Sequence, residues 1–329
     1  MRVVVEDPLD GLAGVYARFA ENEAHARSPL YEELARGVAA DRAVLSVLAE
    51  LPPAKQQPNL LFASVRYRCG VPAGWEQFRG WVLDCREEII ATILARRTQT
   101  NEPARCATLL PLLATLPQPL ALLEVGAAAG LCLLLDRYAY DYNGHHVPPS
   151  RPAAAAVPTF VCRASLSTPL PTRNLDIAWR AGLDVAPIDV RDPEQTAWLE
   201  ALVWPGEGNR LQLLRAALEI ARLDPPPLTE GDLRRDLPAL AAQAPAEATL
   251  VVFHTAVLAY LPDLADRAAF AHTVEGLDAI WVASEAPGAI NAETAEHAWP
   301  SGFDPFLLAR DKQPVAWVDP HGTSIEWLP

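Results

Sequence analysis

Lysine is almost missing from this sequence: Lys55 and Lys312 are the two present, and arginine carries the rest of the positive charge. Methionine occurs once, and no two of the five cysteines (Cys69, Cys85, Cys106, Cys132, Cys162) form a Cys-x-x-Cys pair. An odd set without paired spacing argues against a disulfide framework. Several of these cysteines sit in apolar helical patterns, so reduced core thiols of a cytoplasmic protein are expected. A basic excess is missing too. The formal net charge is −14 over 329 residues, which argues against a general nucleic-acid binder, because neutralising phosphates needs a basic face. No apolar run is long enough to span a bilayer, so no membrane role is expected. Residues 1–7 are too short and too acidic a stretch to suggest a signal peptide. What is plentiful is apolar surface, half of all residues, together with 31 prolines. The length suggests two domains, or one with a substantial extension.

The pattern changes once along the chain. Residues 1–118 read as a helical domain. Trp75, Phe78, Val82, Cys85, Ile89 and Ile93 recur at steps of three and four and define one buried face. Gly70 and Pro72 break the preceding helix, Pro103 suits a first helical turn, and Pro111 predicts a kink or early stop. From residue 119 to 329, apolar strands alternate with helices, the signature of a mostly parallel α/β sheet. Strands are predicted at 120–125, 182–186, 250–253 and 280–283, with a short one before Gly231. Helices are predicted from the first strand to about Tyr138, and at 210–222 and 233–243. An insertion at about 139–180 holds Asn143-Gly144, a hairpin signal, and an alanine-proline run over 152–158. Val315-Ala316-Trp317-Val318 and Ser324-Ile325-Glu326-Trp327, joined through Pro320-His321-Gly322, predict a terminal antiparallel hairpin.

The segment Leu122-Leu123-Glu124-Val125-Gly126-Ala127-Ala128-Ala129-Gly130-Leu131 carries the chemistry. It reads as a buried strand ending in a carboxylate, a turn of small residues, and the start of an apolar helix. Such a turn leaves backbone N–H groups facing a space into which a ligand can press. A class I S-adenosylmethionine site needs a glycine turn for the amino-acid portion, an acid for the ribose and a polar–apolar pair for adenine, on successive strand ends. Gly126, Ala128, Gly130 and Glu124 supply the first, and Asp184 the second, since a carboxylate accepts two bonds from a vicinal diol. Asp232 with Leu233 supplies the third. A dinucleotide fingerprint fits less well, because the glycines are four apart and no suitable acid follows at the usual distance. A nucleophile elbow is excluded: Ala128 stands where the serine would be.

Several segments resemble a bacterial family of unknown function whose fold is similar to class I S-adenosylmethionine-dependent methyltransferases. They are Thr98-Gln99-Thr100-Asn101-Glu102-Pro103-Ala104-Arg105, residues 124–142, 180–189, 198–205 and 251–260, and Pro320-His321-Gly322. The resemblance spans residue 10 or so to the end. It implies a Rossmann-like, doubly wound, mostly parallel sheet of class I methyltransferase type, with a helical N-terminal domain, and it transfers no reaction.

On the acceptor side, His254 follows the fourth strand, where a base near the transferred methyl would act; a buried core histidine is the competing reading. Tyr260 is placed to orient substrate, and Glu285 ends the next strand. Asn101, Glu102 and Arg105 precede the first strand and are candidate acceptor contacts, with helix capping by Asn101 and an i,i+3 ion pair as the plain alternatives. Asp136-Arg137 suggests an interdomain salt bridge. His145-His146 lacks a third ligand at metal spacing, so no metal is expected, and His321 reads as a turn residue. Two functions follow from these residues, beside a purely structural reading in which the glycine turn is closed by packing and takes no ligand. One is an S-adenosylmethionine-dependent methyltransferase acting on a small molecule or a protein side chain, neutral or cationic rather than phosphate-rich. The other is a non-catalytic protein of the same fold that binds a nucleoside-type metabolite or a protein partner.

Overall fold

A computed structural model describes residues 8–151, 156–261, 263–289 and 305–329. The part of the alanine-proline run over 152–155 and the residues 1–7 lie outside them. Two compact units emerge: Met1–Thr100 with Pro193–Leu211, and Asn101–Asp192 with Gln212–Pro329. No helix among the described residues is long and apolar enough to cross a membrane.

The first unit is helical, with helices at Pro8–Phe19, Pro29–Ala40, Arg42–Ala49, Pro58–Cys69, Trp75–Asp84, Arg86–Ala95 and Pro193–Leu202. Their starts are written locally. The Ser28 hydroxyl accepts from the Tyr31 amide, and the Asp41 carboxylate accepts from those of Ala43 and Val44. The three-four periodicity over 75–93 does not make one helix. The chain breaks at Cys85 (φ −106°, ψ 30°), so Phe78 and Val82 reach the core from one helix and Ile89 and Ile93 from the next. Phe62 is the hub. Its ring lies 4.7 Å from that of Tyr31, 5.6 Å from Phe78, 5.7 Å from Phe19 and 6.2 Å from Tyr16. Segment 193–211 joins this unit through Trp198, Ala201 and Leu202 in the core. The Trp198 indole donates to the Arg97 carbonyl and that of Trp204 to the Asn59 side chain.

The second unit is built on strands. In chain order they are β1 (Leu120–Val125), β2 (Ala139–Tyr142), β3 (His145–Val147), β4 (Thr159–Val161), β5 (Arg163–Ala164), β6 (Ile177–Asp184), β7 (Leu228–Glu230), β8 (Thr249–Thr255), β9 (Ile280–Glu285), β10 (Phe306–Arg310), β11 (Gln313–Val318) and β12 (Ser324–Trp327). The main sheet has the order β5-β12-β11-β10-β9-β8-β1-β6-β7. Strands β7, β6, β1, β8 and β9 run parallel, and β10 to β12 follow as an antiparallel meander. The chain runs from β1 outward to β6 and β7, then returns to β8 on the other side of β1. The switch point of this doubly wound sheet is therefore at the carboxyl ends of β1 and β8. β1 is buried along its whole length, as a central parallel strand must be.

The insertion folds as a small sheet in the order β3-β2-β4. Asn143 (φ 53°) and Gly144 (φ 91°) form the two-residue turn between β2 and β3 that their sequence predicts. β6 begins at Ile177, five residues before the predicted start. Residues 101–118 also depart from the expected boundary, since they belong to the sheet-bearing unit. Pro111 ends its helix, Cys106–Leu113, two residues on.

The helix expected after the glycine turn is not an α-helix. Leu131–Arg137 is a 3-10 segment kinked at Leu134 (φ −97°, ψ 19°). Side chains take its carbonyls: the Tyr138 hydroxyl donates to Leu131 O, Arg180 Nη1 to Leu133 O and the Tyr140 hydroxyl to Leu135 O. These tertiary donors replace the i to i−4 ladder as the partners of the segment. Helix 210–222 is observed as Gly208–Leu223, whereas 233–243 shrinks to Leu237–Ala241.

Phe62→Ala should lower stability to chemical denaturation by about 3–5 kcal/mol, the usual cost of removing a buried aromatic ring. A loss below about 1 kcal/mol would show that Phe62 is not the centre of the helical core.

Candidate functional site

The turn leaving β1 is held from all sides by protein. Leu183 O accepts from the amides of Gly126 (2.8 Å) and Ala127 (3.3 Å), Asp184 Oδ2 accepts from that of Ala128 (2.8 Å), and Ala127 O accepts from that of Gly130 (2.6 Å). Asn101 Oδ1 accepts from the Leu131 amide at 2.9 Å. The amides of Gly126, Ala127, Ala128, Gly130 and Leu131, which the sequence left open for a ligand, are thus occupied. Asn101 caps this segment rather than its own, where Glu102 accepts from the Ala104 amide.

Gly126 (φ 70°), Ala128 (φ 49°) and Gly130 (φ 68°) all adopt left-handed backbone. A methyl on Gly126 would meet Val257 Cγ2 at 2.4 Å, and one on Gly130 would meet Pro226 Cγ at 2.6 Å and Leu228 Cδ2 at 3.0 Å. These glycines admit side chains from the β8 and β7 connections, and Ala127, Ala128 and Ala129 are buried between them. Ala128, unusual in this conformation, has its amide held by Asp184 and its carbonyl by the Ile188 amide at 3.0 Å. Asp184 is 6 % exposed, and its Oδ1 accepts from the Ala186 amide.

Glu124 lies beside the turn, 2 % exposed, and its Oε2 has no hydrogen-bond partner among the described residues. Burial, reinforced by the Cys132 thiol and Asp184, drives its carboxyl well above the ordinary range, against the pull of Arg105. Arg105 is turned elsewhere. Its Nε donates to Pro320 O and its Nη1 to the carbonyl and hydroxyl of Thr255, so Arg105 pairs with the end of β8 and the terminal hairpin rather than with Glu102. Gly322 (φ 80°) lets that hairpin in, since a methyl there would lie 2.0 Å from Ala104 O.

His254 is completely buried. Its Nδ1 lies 2.6 Å from Glu285 Oε1, and its Nε2 is 3.0 Å from the Trp281 indole nitrogen. An indole only donates, so Nε2 is the acceptor and Nδ1 carries the proton toward Glu285. Glu285 also accepts from the amides of Val257 and Leu258. The ring has no lone pair left for an outside proton; it braces the loop that presents Val257 to Gly126.

The remaining candidates stand apart from the turn. Asp232 is gripped by the Arg234 guanidinium through both oxygens, which lowers its pKa to about 2. Arg234 in turn bonds Asp266. Leu233 packs partly buried against the sheet core, and Tyr260 is 61 % exposed. His145 Nε2 lies 2.8 Å from Pro171 O, and His321 Nδ1 is 4.0 Å from Glu102 Oε2. Asp136 and Arg137 make no interdomain bridge: Arg180 and Asp224, their partners, belong to the same unit. Sequence reading missed Val257, Pro226 and Leu228, the residues that fill the turn. The one available signal was Pro225-Pro226-Pro227, a rigid approach to β7 that leaves little freedom in where Pro226 lies.

Sheet order and switch point define the chain as a Rossmann-like α/β protein with an added helical unit. A family model described as "Uncharacterized protein conserved in bacteria (DUF2332)" matches residues 13–327, and the chain belongs to that family. No match was found among curated proteins or among solved structures.

Gly126→Ala should cost about 2–5 kcal/mol, from left-handed strain plus overpacking against Val257. Adding Val257→Ala should return the overpacking share, and a strictly additive pair in urea unfolding would refute the contact. Glu124 gives a pH signature. Its folded pKa is raised, so its contribution to stability is complete below the ordinary carboxyl pKa and is lost as pH rises through the folded value. Glu124→Gln should flatten that decline in unfolding measured across the pH range, and an unchanged slope would assign it to other groups.

Proposed function

We propose that this chain is a non-catalytic Rossmann-like binding protein, and that its glycine turn is a packing joint rather than a seat for S-adenosylmethionine. One observation carries the reading: the Cβ directions of Gly126 and Gly130 are filled by Val257 and Pro226, where a cofactor pressed against the turn needs open space. Three placements support it. Both carboxylate oxygens of Asp184, the atoms that would accept from a ribose diol, already accept from the amides of Ala128 and Ala186. Asp232 is committed to Arg234. His254 is closed on both nitrogens and has no lone pair to act as a base. With this donor set the residues present do not fit the cofactor, and no methyl-transfer step runs through them.

The methyltransferase reading keeps one observation in its favour. Glu124 Oε2, buried and without a partner among the described residues, is what a carboxyl facing an absent ammonium or hydroxyl group looks like.

Calorimetric titration with S-adenosylmethionine and S-adenosylhomocysteine separates the two. Folded protein is expected to give no saturable heat with either. Micromolar affinity that Asp184→Asn weakens would overturn the joint reading in favour of methyl transfer.

A further inference from the structure

At the amino end of β6, away from the glycine turn, lies a cavity of about 420 Å³. It forms where the sheet loses a strand. β1 pairs with β6 from Ile177 to Leu183, but β7 pairs only with Gly182 to Asp184. Residues 177–181 therefore have a strand on one side and, among the described residues, none on the other. The cavity occupies that free edge, and Arg137, Arg151, Arg180, Trp179, Thr229 and Gln243 line it.

Three guanidinium groups in one cavity run against a chain of net charge −14. Two are held in place. Arg180 donates to Asp136 Oδ1 at 2.9 Å and Oδ2 at 3.1 Å, and to Leu133 O at 2.7 Å. Arg137 bonds Asp224 at 2.5 Å. Among the described residues its buried Nε meets no hydrogen-bond acceptor, Asp136 Oδ2 being 3.5 Å away. Arg151 is exposed and has no partner among the described residues. Three positive charges thus face two carboxylates, and the excess is carried by the exposed Arg151. Arginines gathered along one cavity suit an oxyanion, because the guanidinium fork matches carboxylate and phosphate geometry. Thr229 and Gln243 add neutral donors, and Trp179 adds a flat apolar wall.

We propose that this cavity is a binding site for a small organic anion, with a phosphate or carboxylate head held by Arg151, Arg137 and Arg180 and an apolar or aromatic body against Trp179. Its volume falls in the range of pockets for small ligands, about 300–1,000 Å³. The site lies at the opposite end of β6 from Asp184, so it stands whether or not the glycine turn takes a cofactor.

The test is titration calorimetry of the whole chain with inorganic phosphate, adenosine 5′-monophosphate and citrate as separate probes. At least one is expected to bind saturably. Binding by phosphate alone means that the head suffices, binding by the nucleotide alone means that the body against Trp179 is required, and binding by citrate alone assigns a carboxylate head. Arg151→Ala, at an exposed position that leaves the buried ion pairs intact, should weaken the bound probe about tenfold, while Arg151→Lys should retain part of the affinity. Circular dichroism of each variant confirms its fold. Saturation by none of the three probes, or an affinity that Arg151→Ala leaves unchanged, overturns the proposal.

Discussion

The Asp184 carboxylate ties two neighbouring strand ends into one object. One oxygen accepts from the Ala128 amide in the turn that leaves β1, and the other accepts from the Ala186 amide as the chain leaves β6. A buried carboxylate is tolerated only when its oxygens are met, and here one of the partners that meet it is the amide of the left-handed Ala128. The packing follows from this bond. With Ala128 fixed, Gly126 and Gly130 face Val257 and Pro226 so closely that a Cβ at either position would clash unless its neighbour shifted. Strands β1, β6, β7 and β8 thereby meet at a buried joint of small residues.

A second buried group holds that joint from the β8 side. His254, Glu285 and Trp281 form a chain in which every polar atom of the imidazole is used, and Glu285 continues it to the Val257 and Leu258 amides. Networks of this kind rigidify when complete and are costly when broken. Glu124 is the exception: it is buried beside the same turn, Oε2 has no partner among the described residues, and its proton is favoured by burial. The carboxyl ends of the strands are therefore mostly satisfied from within, whereas the amino end of β6 keeps unmatched arginine charge beside a free strand edge.

Strand positions in the second unit were legible because apolar runs such as Leu250-Val251-Val252-Phe253 have one stable place, inside a parallel sheet covered on both faces. Asn143-Gly144 was legible for a local reason, the positive φ its turn demands. The unit boundary was not. Segment 193–211 folds with helices more than ninety residues earlier because Trp198 and Leu202 find their apolar partners there, and nothing local announces that. The 3-10 character of Leu131–Arg137 was equally hidden, since the hydroxyls and the guanidinium that take its carbonyls come from Tyr138, Tyr140 and Arg180.

Among the site candidates, sequence reasoning brought Glu124, Gly126, Ala128, Gly130 and Asp184 to one place, because the order of strand ends in a doubly wound sheet follows from the order of the strands; Asn101, expected on the acceptor side, is brought to the turn by the tertiary structure. It left them between a ligand seat and a close packing turn, and the tertiary structure showed which side chains fill their space. By itself the sequence determined the α/β class, the strand set, the hairpin turn and the acidic surface, all of which depend on periodicity, backbone preference and summed charge. The tertiary structure decided the rest: whether a glycine opens a cleft or admits a valine, whether a histidine keeps a lone pair, and where three arginines converge. The reason is geometric. Those properties depend on which atoms from distant segments come within a few ångströms of one another, and spacing along a chain does not carry that distance.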